Sequence, residues 1–184
     1  VYSTNGDIFI IKFDTLLNPI WIKTYGGYGV DGIGNLQLTP QGIYLTSIHY
    51  NALSTNNFFG TINVTFPANY HSRYVLSHMD LNGIPIWARY FGSTNLSSNM
   101  RSSRMTVFGS HIYFVGNDFS NTQNKFDFQN GPSLFGSSQW EYYIACYDTV
   151  GNFVWNTISK GSGNSSLTGL TTDSNANVYA TGAF

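Results

Sequence analysis

The stretch F-I-I-K-F-D-T-L-L-N-P-I-W at residues 9–21 returns as V-L-S-H-M-D-L-N-G-I-P-I-W at 75–87 and as Y-I-A-C-Y-D-T-V-G-N-F-V-W at 143–155. Each copy is a short apolar run, an Asp, and a second apolar run that ends in Trp. The Asp residues are Asp14, Asp80 and Asp148, and the Trp residues Trp21, Trp87 and Trp155 each follow seven positions later. β-Branched and aromatic residues dominate both runs and no helical period runs through them, so each copy reads as two strands joined by a tight turn. Asp at the first turn position bonds the backbone N–H groups beyond it, and Gly at the fourth supplies a positive φ. Gly83 and Gly151 fill that fourth place. Leu17 fills it in the first copy and breaks the pattern, and Asn18 beside it is expected to relieve the turn because Asn tolerates the left-handed conformation.

Working outward, a Gly-rich link follows each Trp run: Gly26-Gly27-Tyr28-Gly29, Gly92-Ser93 and Gly161-Ser162-Gly163. Two further strands follow each link. They are expected at Ile33–Thr39 and Ile43–Ile48, at Met105–Phe108 and His111–Val115, and at Leu167–Thr172 and Val178–Thr181. Tyr44, Tyr113 and Tyr179 mark the same strand in each copy. Four short strands per repeat make an all-β repeat protein. Two long connections, 49–73 and 117–141, are rich in Asn and aromatic residues and are expected to carry short strands of their own.

Composition bounds the function. Charged residues make up 9% of the chain, against roughly 25% in an ordinary soluble protein. Glu141 is the only Glu. Asn, Ser, Thr, Gln and Tyr must therefore keep the surface polar, which suits a secreted, adhesive or assembly-embedded protein. A net charge of −1 supplies no basic field for nucleic acid or an anionic membrane. No apolar run reaches the 18 or so residues of a spanning helix, so no membrane insertion is expected. A chain that opens at Val1 without Met is expected to be an excerpt of a longer polypeptide. Cys146, the only cysteine, rules out an internal disulfide framework and reads as a small filler on a strand. Sequons at Asn63, Asn95 and Asn164 are no more frequent than chance in so Asn-rich a chain.

With the repeat laid out, the chain resembles the β-propeller repeat family of bacteria and large DNA viruses (SBBP-type repeats). The resemblance rests on Phe9–Asp14, Tyr143–Asp148, Gly151-Asn152, Trp155 and Asn177-Val-Tyr-Ala-Thr-Gly-Ala-Phe184, with echoes in Phe58-Phe-Gly-Thr-Ile-Asn63 and Asp118-Phe-Ser120. It implies a β-propeller-like array of four-stranded antiparallel blades and says almost nothing of activity. It also implies a secreted, cell-surface or virion setting. The sialidase Asp-box does not match, because its Gly and Trp lie two and five after Asp. The tryptophan motif of quinoprotein-type propellers is nearer but has one more turn residue. By analogy with propellers, the strand after each Gly-rich link is the inner one and the Trp strand the outer one. Residues 33–91 and 100–158 are then whole blades, while 7–25 and 167–184 are half-blades of an incomplete ring.

No chemistry-bearing constellation stands out. The three repeated Asp residues read as turn caps, since calcium needs about six or more oxygens. The three Trp residues read as packing between blades. His49, His71, His78 and His111 show no metal-ligand spacing, although His49 and His71 flank the first long connection. Paired carboxylates for glycoside hydrolysis are unsupported, and neither a nucleophile elbow nor a phosphate loop is present. No catalytic, cofactor-binding or metal-binding residue is therefore assigned. The aromatics of the long connections are the candidate partner contacts: Phe58, Phe59, Tyr70, Phe119, Phe128 and Trp140. Against that stands a plainer role, in which they cover blade edges as a small local core. The expectation is a non-catalytic scaffold that offers its long loops to other protein chains of an assembly or to surface glycans. The alternative is part of a secreted carbohydrate-active or quinoprotein-like enzyme with its active site elsewhere.

Overall fold

A computed structural model describes residues 7–26, 30–49, 56–59, 62–67, 70, 72–93, 101–118, 125–136, 141–159 and 165–184. Among these residues the chain is all β, every strand pairing is antiparallel, and there is no helix. The strands are β1 (Ile8–Phe13), β2 (Pro19–Tyr25), β3 (Asp31–Thr39), β4 (Gly42–His49), β5 (Asn56–Phe59), β6 (Ile62–Thr65), β7 (Ser72–Met79) and β8 (Pro85–Ser93). They continue with β9 (Arg101–Phe108), β10 (His111–Asp118), β11 (Lys125–Phe128), β12 (Leu134–Phe135), β13 (Glu141–Asp148), β14 (Phe153–Ile158), β15 (Ser166–Thr172) and β16 (Val178–Ala183). Two meanders, β3-β4-β7-β8 and β9-β10-β13-β14, form the middle of the molecule. The pairs β1-β2 and β15-β16 stand as separate two-stranded sheets, and no closed ring forms among the described residues.

The Asp turns fold as their chemistry dictates. Asp14, Asp80 and Asp148 each accept two backbone N–H bonds at one carboxylate oxygen, from the residues two and four further on. Gly83 and Gly151 take φ of 74° and 89°. The first copy departs from expectation: Leu17 itself takes the left-handed conformation, at φ 63°. Asn18 helps from outside by donating its side-chain amide to Asp14 at 2.9 Å. The turn Asp173–Asn177 repeats the design at the β15-β16 hairpin, with Ala176 at φ 64°.

Alternation along the strands separates two cores. One face of the first meander, with Tyr44, Leu76, Trp87 and Phe91, packs on Met105, Phe114, Tyr143 and Tyr147 of the second. The opposite face, with Ile43, Leu45, Val75 and Ala88, packs on Ile10 and Tyr25 of the β1-β2 sheet. Val64, Phe66 and Tyr70 of the first long connection belong to that second core. Beyond the second meander, Leu167 of β15 is buried and its amide donates to Asn117 Oδ1 at 3.0 Å.

The long connections contain strands, but one of them does something the repeat pattern does not announce. β11 leaves the second meander and pairs with β8 of the first, Phe126 opposite Ser93 and Phe128 opposite Phe91. With β12 it extends the first meander to six strands, in the order β12-β11-β8-β7-β4-β3. Gln129 fastens the crossing: its amide donates to Tyr90 O, its Oε1 accepts from Tyr90 N, and its own carbonyl accepts from the Tyr147 hydroxyl at 2.9 Å.

Candidate functional site

Trp21 and Trp87 each act on the turn of the following repeat. The Trp21 ring and the Lys23 stem leave no room at Gly83, where an added Cβ would lie 3.2 Å from the indole and 3.0 Å from the stem. Trp87 does the same at Gly151, with an added Cβ only 2.9 Å from the ring. Its indole N–H donates to Thr149 O at 3.1 Å, and Arg89 donates to Gly151 O at 2.7 Å. The Tyr25 hydroxyl donates to Gly83 O in the same way. The glycines are therefore required twice, for φ and for the close approach of the ring. Trp155, the third member, is 38% exposed, against 8% for Trp87.

The two outlying sheets show the same contrast. Phe9 is 62% exposed, whereas Val75 and Tyr143 at the equivalent positions are buried. Phe13 is half exposed, whereas Met79 and Tyr147 are buried. Tyr179 is 53% exposed, whereas Tyr44 and Tyr113 are buried. Leu36 and Leu38 of β3, together with Ile33, are exposed on the face that looks toward β1-β2. Scattered surface apolar residues mean little, whereas Phe9, Phe13 and Tyr179 fall at repeat positions that are buried elsewhere in the chain. Along β1 and β16 one edge is unpaired among the described residues, which offers free backbone N–H and C=O groups.

The sequence-derived contacts fare unevenly. Tyr70 and Phe128 are not on the surface. Tyr70 packs edge-on against Tyr90 with ring centres 5.9 Å apart, and Phe128 lies among Phe91, Phe114 and Tyr143. Both are buried where their segments fold back onto the first meander. Phe58 and Phe59 lie on β5, opposite Asn63 and Ile62. Phe119 and Trp140 lie outside the described residues, as does His71.

A buried polar chain escaped the sequence reading. His49 Nδ1 donates to Asp31 Oδ1 at 2.7 Å, and the Ser47 hydroxyl lies 3.0 Å from His49 Nε2. Nδ1 carries its proton toward the carboxylate, and Nε2 and the Ser47 hydroxyl share the second bond. The order Ser–His–Asp is that of a nucleophilic triad. Ser47, however, is wholly buried, and Phe66 lies tilted against the His49 ring at 6.2 Å. A nucleophile must meet its substrate, and this hydroxyl meets only protein. The chain orders β3 against β4 rather than presenting a reactive oxygen.

Cys146 and His78 are buried as well. Burial, with Asp148 nearby, pushes the Cys146 thiol up to about 12, so it stays protonated. Burial lowers the His78 pKa; its ring stacks on Tyr44 at 4.3 Å and donates from Nε2 to Gln41 O at 3.1 Å. Among the described residues no three His, Cys, Asp or Glu side chains gather as a metal site, and no helix is long and apolar enough to cross a membrane. No protein-family model matches the chain, and no curated protein matches it.

Proposed function

We propose that the chain is a β-propeller-like segment that serves as a non-catalytic scaffold in a secreted, cell-surface or virion-associated assembly. The observation that carries this is the apolar register left open on the two outlying sheets, at positions whose equivalents in the middle of the chain are buried. The blade-like arrangement is supported by β9 touching both β3 and β15, so that the first strands of successive repeats lie side by side. The Trp-on-turn contact, made once by Trp21 and once by Trp87, joins successive sheets by one recurring device. The partners are other protein chains or surface glycans, and the scarcity of charge fits a protein embedded among neighbours.

Hydrogen exchange on the purified chain at nanomolar concentration tests this. An unfinished scaffold has fast-exchanging amides on the free edges of β1 and β16, while those of β4, β7, β10 and β13 exchange slowly. If β1 and β16 are as protected as the central strands in dilute solution, the edges are closed within one molecule and the scaffold has no open register to offer.

A further inference from the structure

The Asp turns differ at the position just before their left-handed residue. It is Leu16 in the first, Asn82 in the second, Val150 in the third and Asn175 in the fourth. Only the second sets Asn directly before Gly. Glycine has no side chain to shield its amide nitrogen, so that nitrogen can reach the neighbouring Asn carboxamide and close a five-membered ring. Asn82 is exposed, whereas Gly83 is buried beneath the Trp21 ring. The joint over this turn is also the looser one. Trp87 donates its indole N–H to Thr149 O, and Arg89 donates to Gly151 O at 2.7 Å. The Trp21 indole nitrogen is closed off from water and has no hydrogen-bond partner among the described residues. Lys12 reaches Leu81 O only at 3.4 Å, which leaves the Tyr25 hydroxyl on Gly83 O as the main polar tie. A buried N–H without an acceptor favours an opened joint, in which water satisfies it.

We propose that Asn82 is a self-modification site, converted to isoaspartate whenever the Trp21 joint opens. In the closed turn the Gly83 N–H is committed to Asp80 O at 3.0 Å, and the indole and the Lys23 stem confine the glycine. Once the ring lifts, the Gly83 nitrogen attacks Asn82 Cγ. An N–Cγ bond forms, the Cγ–Nδ2 bond breaks, and Nδ2 leaves with the Gly83 proton as ammonia. Water then opens the succinimide. Cleavage at Cγ gives aspartate, while cleavage of the main-chain bond to the Gly83 nitrogen gives isoaspartate, with Cβ now part of the main chain. A turn lengthened by one atom no longer fits under Trp21, so the joint between the β1-β2 sheet and the first meander does not close again. Modification of an opened state follows the population of that state, so the ring sets the pace. Asn130-Gly131, the other Asn-Gly pair among the described residues, lies under a different ring: an added Cβ at Gly131 would meet Phe153 at 2.5 Å, and the Gly131 N–H donates to Phe128 O at 2.9 Å.

Ageing the purified chain in warm, mildly alkaline buffer tests this, with peptide mapping and isoaspartyl methyltransferase labelling to read both Asn-Gly pairs at once. The same chain unfolded in urea reads the unrestrained chemistry. Asn82 should react several-fold more slowly in the folded chain than in the unfolded one. Trp21→Ala should speed Asn82 several-fold and leave Asn130 unchanged, and Tyr25→Phe, which keeps the ring, should give a smaller rise. In the aged wild type the β1 and β2 amides should exchange faster than in fresh protein, while those of β10 and β13 should not. Where circular dichroism shows Trp21→Ala to be unfolded, Tyr25→Phe carries the same comparison. Equal rates at Asn82 in the folded and unfolded chain, or no response to loss of the ring or the hydroxyl, would overturn the inference. So would a joint rise at Asn82 and Asn130, which reports general loosening, or amide exchange left unchanged by the modification.

Discussion

His49 and Asp31 face each other across the β3-β4 ladder and share a 2.7 Å hydrogen bond with both side chains closed off from water. The pair borders the core built from Leu45, Val75 and Phe66. Removing one partner breaks a buried hydrogen-bonded pair, a change that costs up to about 3–5 kcal/mol. His49→Ala should therefore lower the urea midpoint sharply. The double variant Asp31→Leu with His49→Leu should recover most of that loss, since an apolar replacement for a buried pair is often close to neutral. Ser47→Ala, which leaves the pair intact, should cost only about 1 kcal/mol.

Leu17 holds a left-handed backbone that costs an L-residue roughly 1–2 kcal/mol. Its side chain is exposed and contributes no core packing. Leu17→Gly is expected to raise the thermal midpoint, by up to about 1 kcal/mol of stability once the added chain entropy of glycine is counted. Gly151→Ala should do the reverse, because the new methyl meets the Trp87 indole as well as an unfavourable φ.

Phe128 and Val150 are both apolar residues outside the meander strands, and they should respond oppositely to truncation. Phe128 is buried among three other rings, so Phe128→Ala should cost about 3–5 kcal/mol. Val150 sits exposed in the 148–152 turn, and Val150→Ala should stay within about 0.5 kcal/mol. Equilibrium unfolding by tryptophan fluorescence distinguishes the two.

Burial lowers the pKa of His78 below its ordinary 6.5. The unfolded chain then binds the proton more readily than the folded one, so stability is full above the unfolded value and falls as pH drops from about 7 toward 5. His78→Gln should remove the decline attributable to this ring. A second decline should remain under acid conditions in both proteins. The Asn18 side-chain bond and the bonds from backbone N–H groups lower the pKa of Asp14, and the Ile84 backbone bond leads the same effect at Asp80. Those carboxylates favour the fold above their unfolded value near 3.8 and lose that contribution as they protonate. Thermal midpoints of the two proteins between pH 8 and 3 separate the phases.

Strand order and turn chemistry were readable from the sequence because they depend on residues within a few positions of one another. Asp80 and Gly83 suffice to place a turn, and Trp87 seven residues after Asp80 suffices to place the strand beyond it. The Asp31–His49 pair was not readable, for a definite reason. The hairpin around Pro40-Gln-Gly42 pairs Leu36 with Leu45, and continuing it without a break would set Asp31 against Tyr50. A bulge between Ile33 and Asn35 shifts the ladder by one and sets Asp31 against His49. A small-residue G-I-G at 32–34 was the available sign, and a strand begun at Ile33 stops short of using it. Tyr70 and Phe128 show a second limit. Composition reveals that a loop is aromatic, but whether its rings turn inward depends on which distant strand the loop joins.

The return of β11 to β8 also bears on how the protein is made. A ribosome finishes β8, at Ser93, thirty-five residues before it finishes β11, at Phe128, so the first meander waits with a bare outer edge until much of the second exists. Residues 94–100 look like a natural seam between repeats, yet a cut there would strand 125–135 on the wrong side. The two meanders are thus neighbours in sequence but joint owners of one sheet. Neither can be exchanged, duplicated or excised as a cassette without carrying part of the other along.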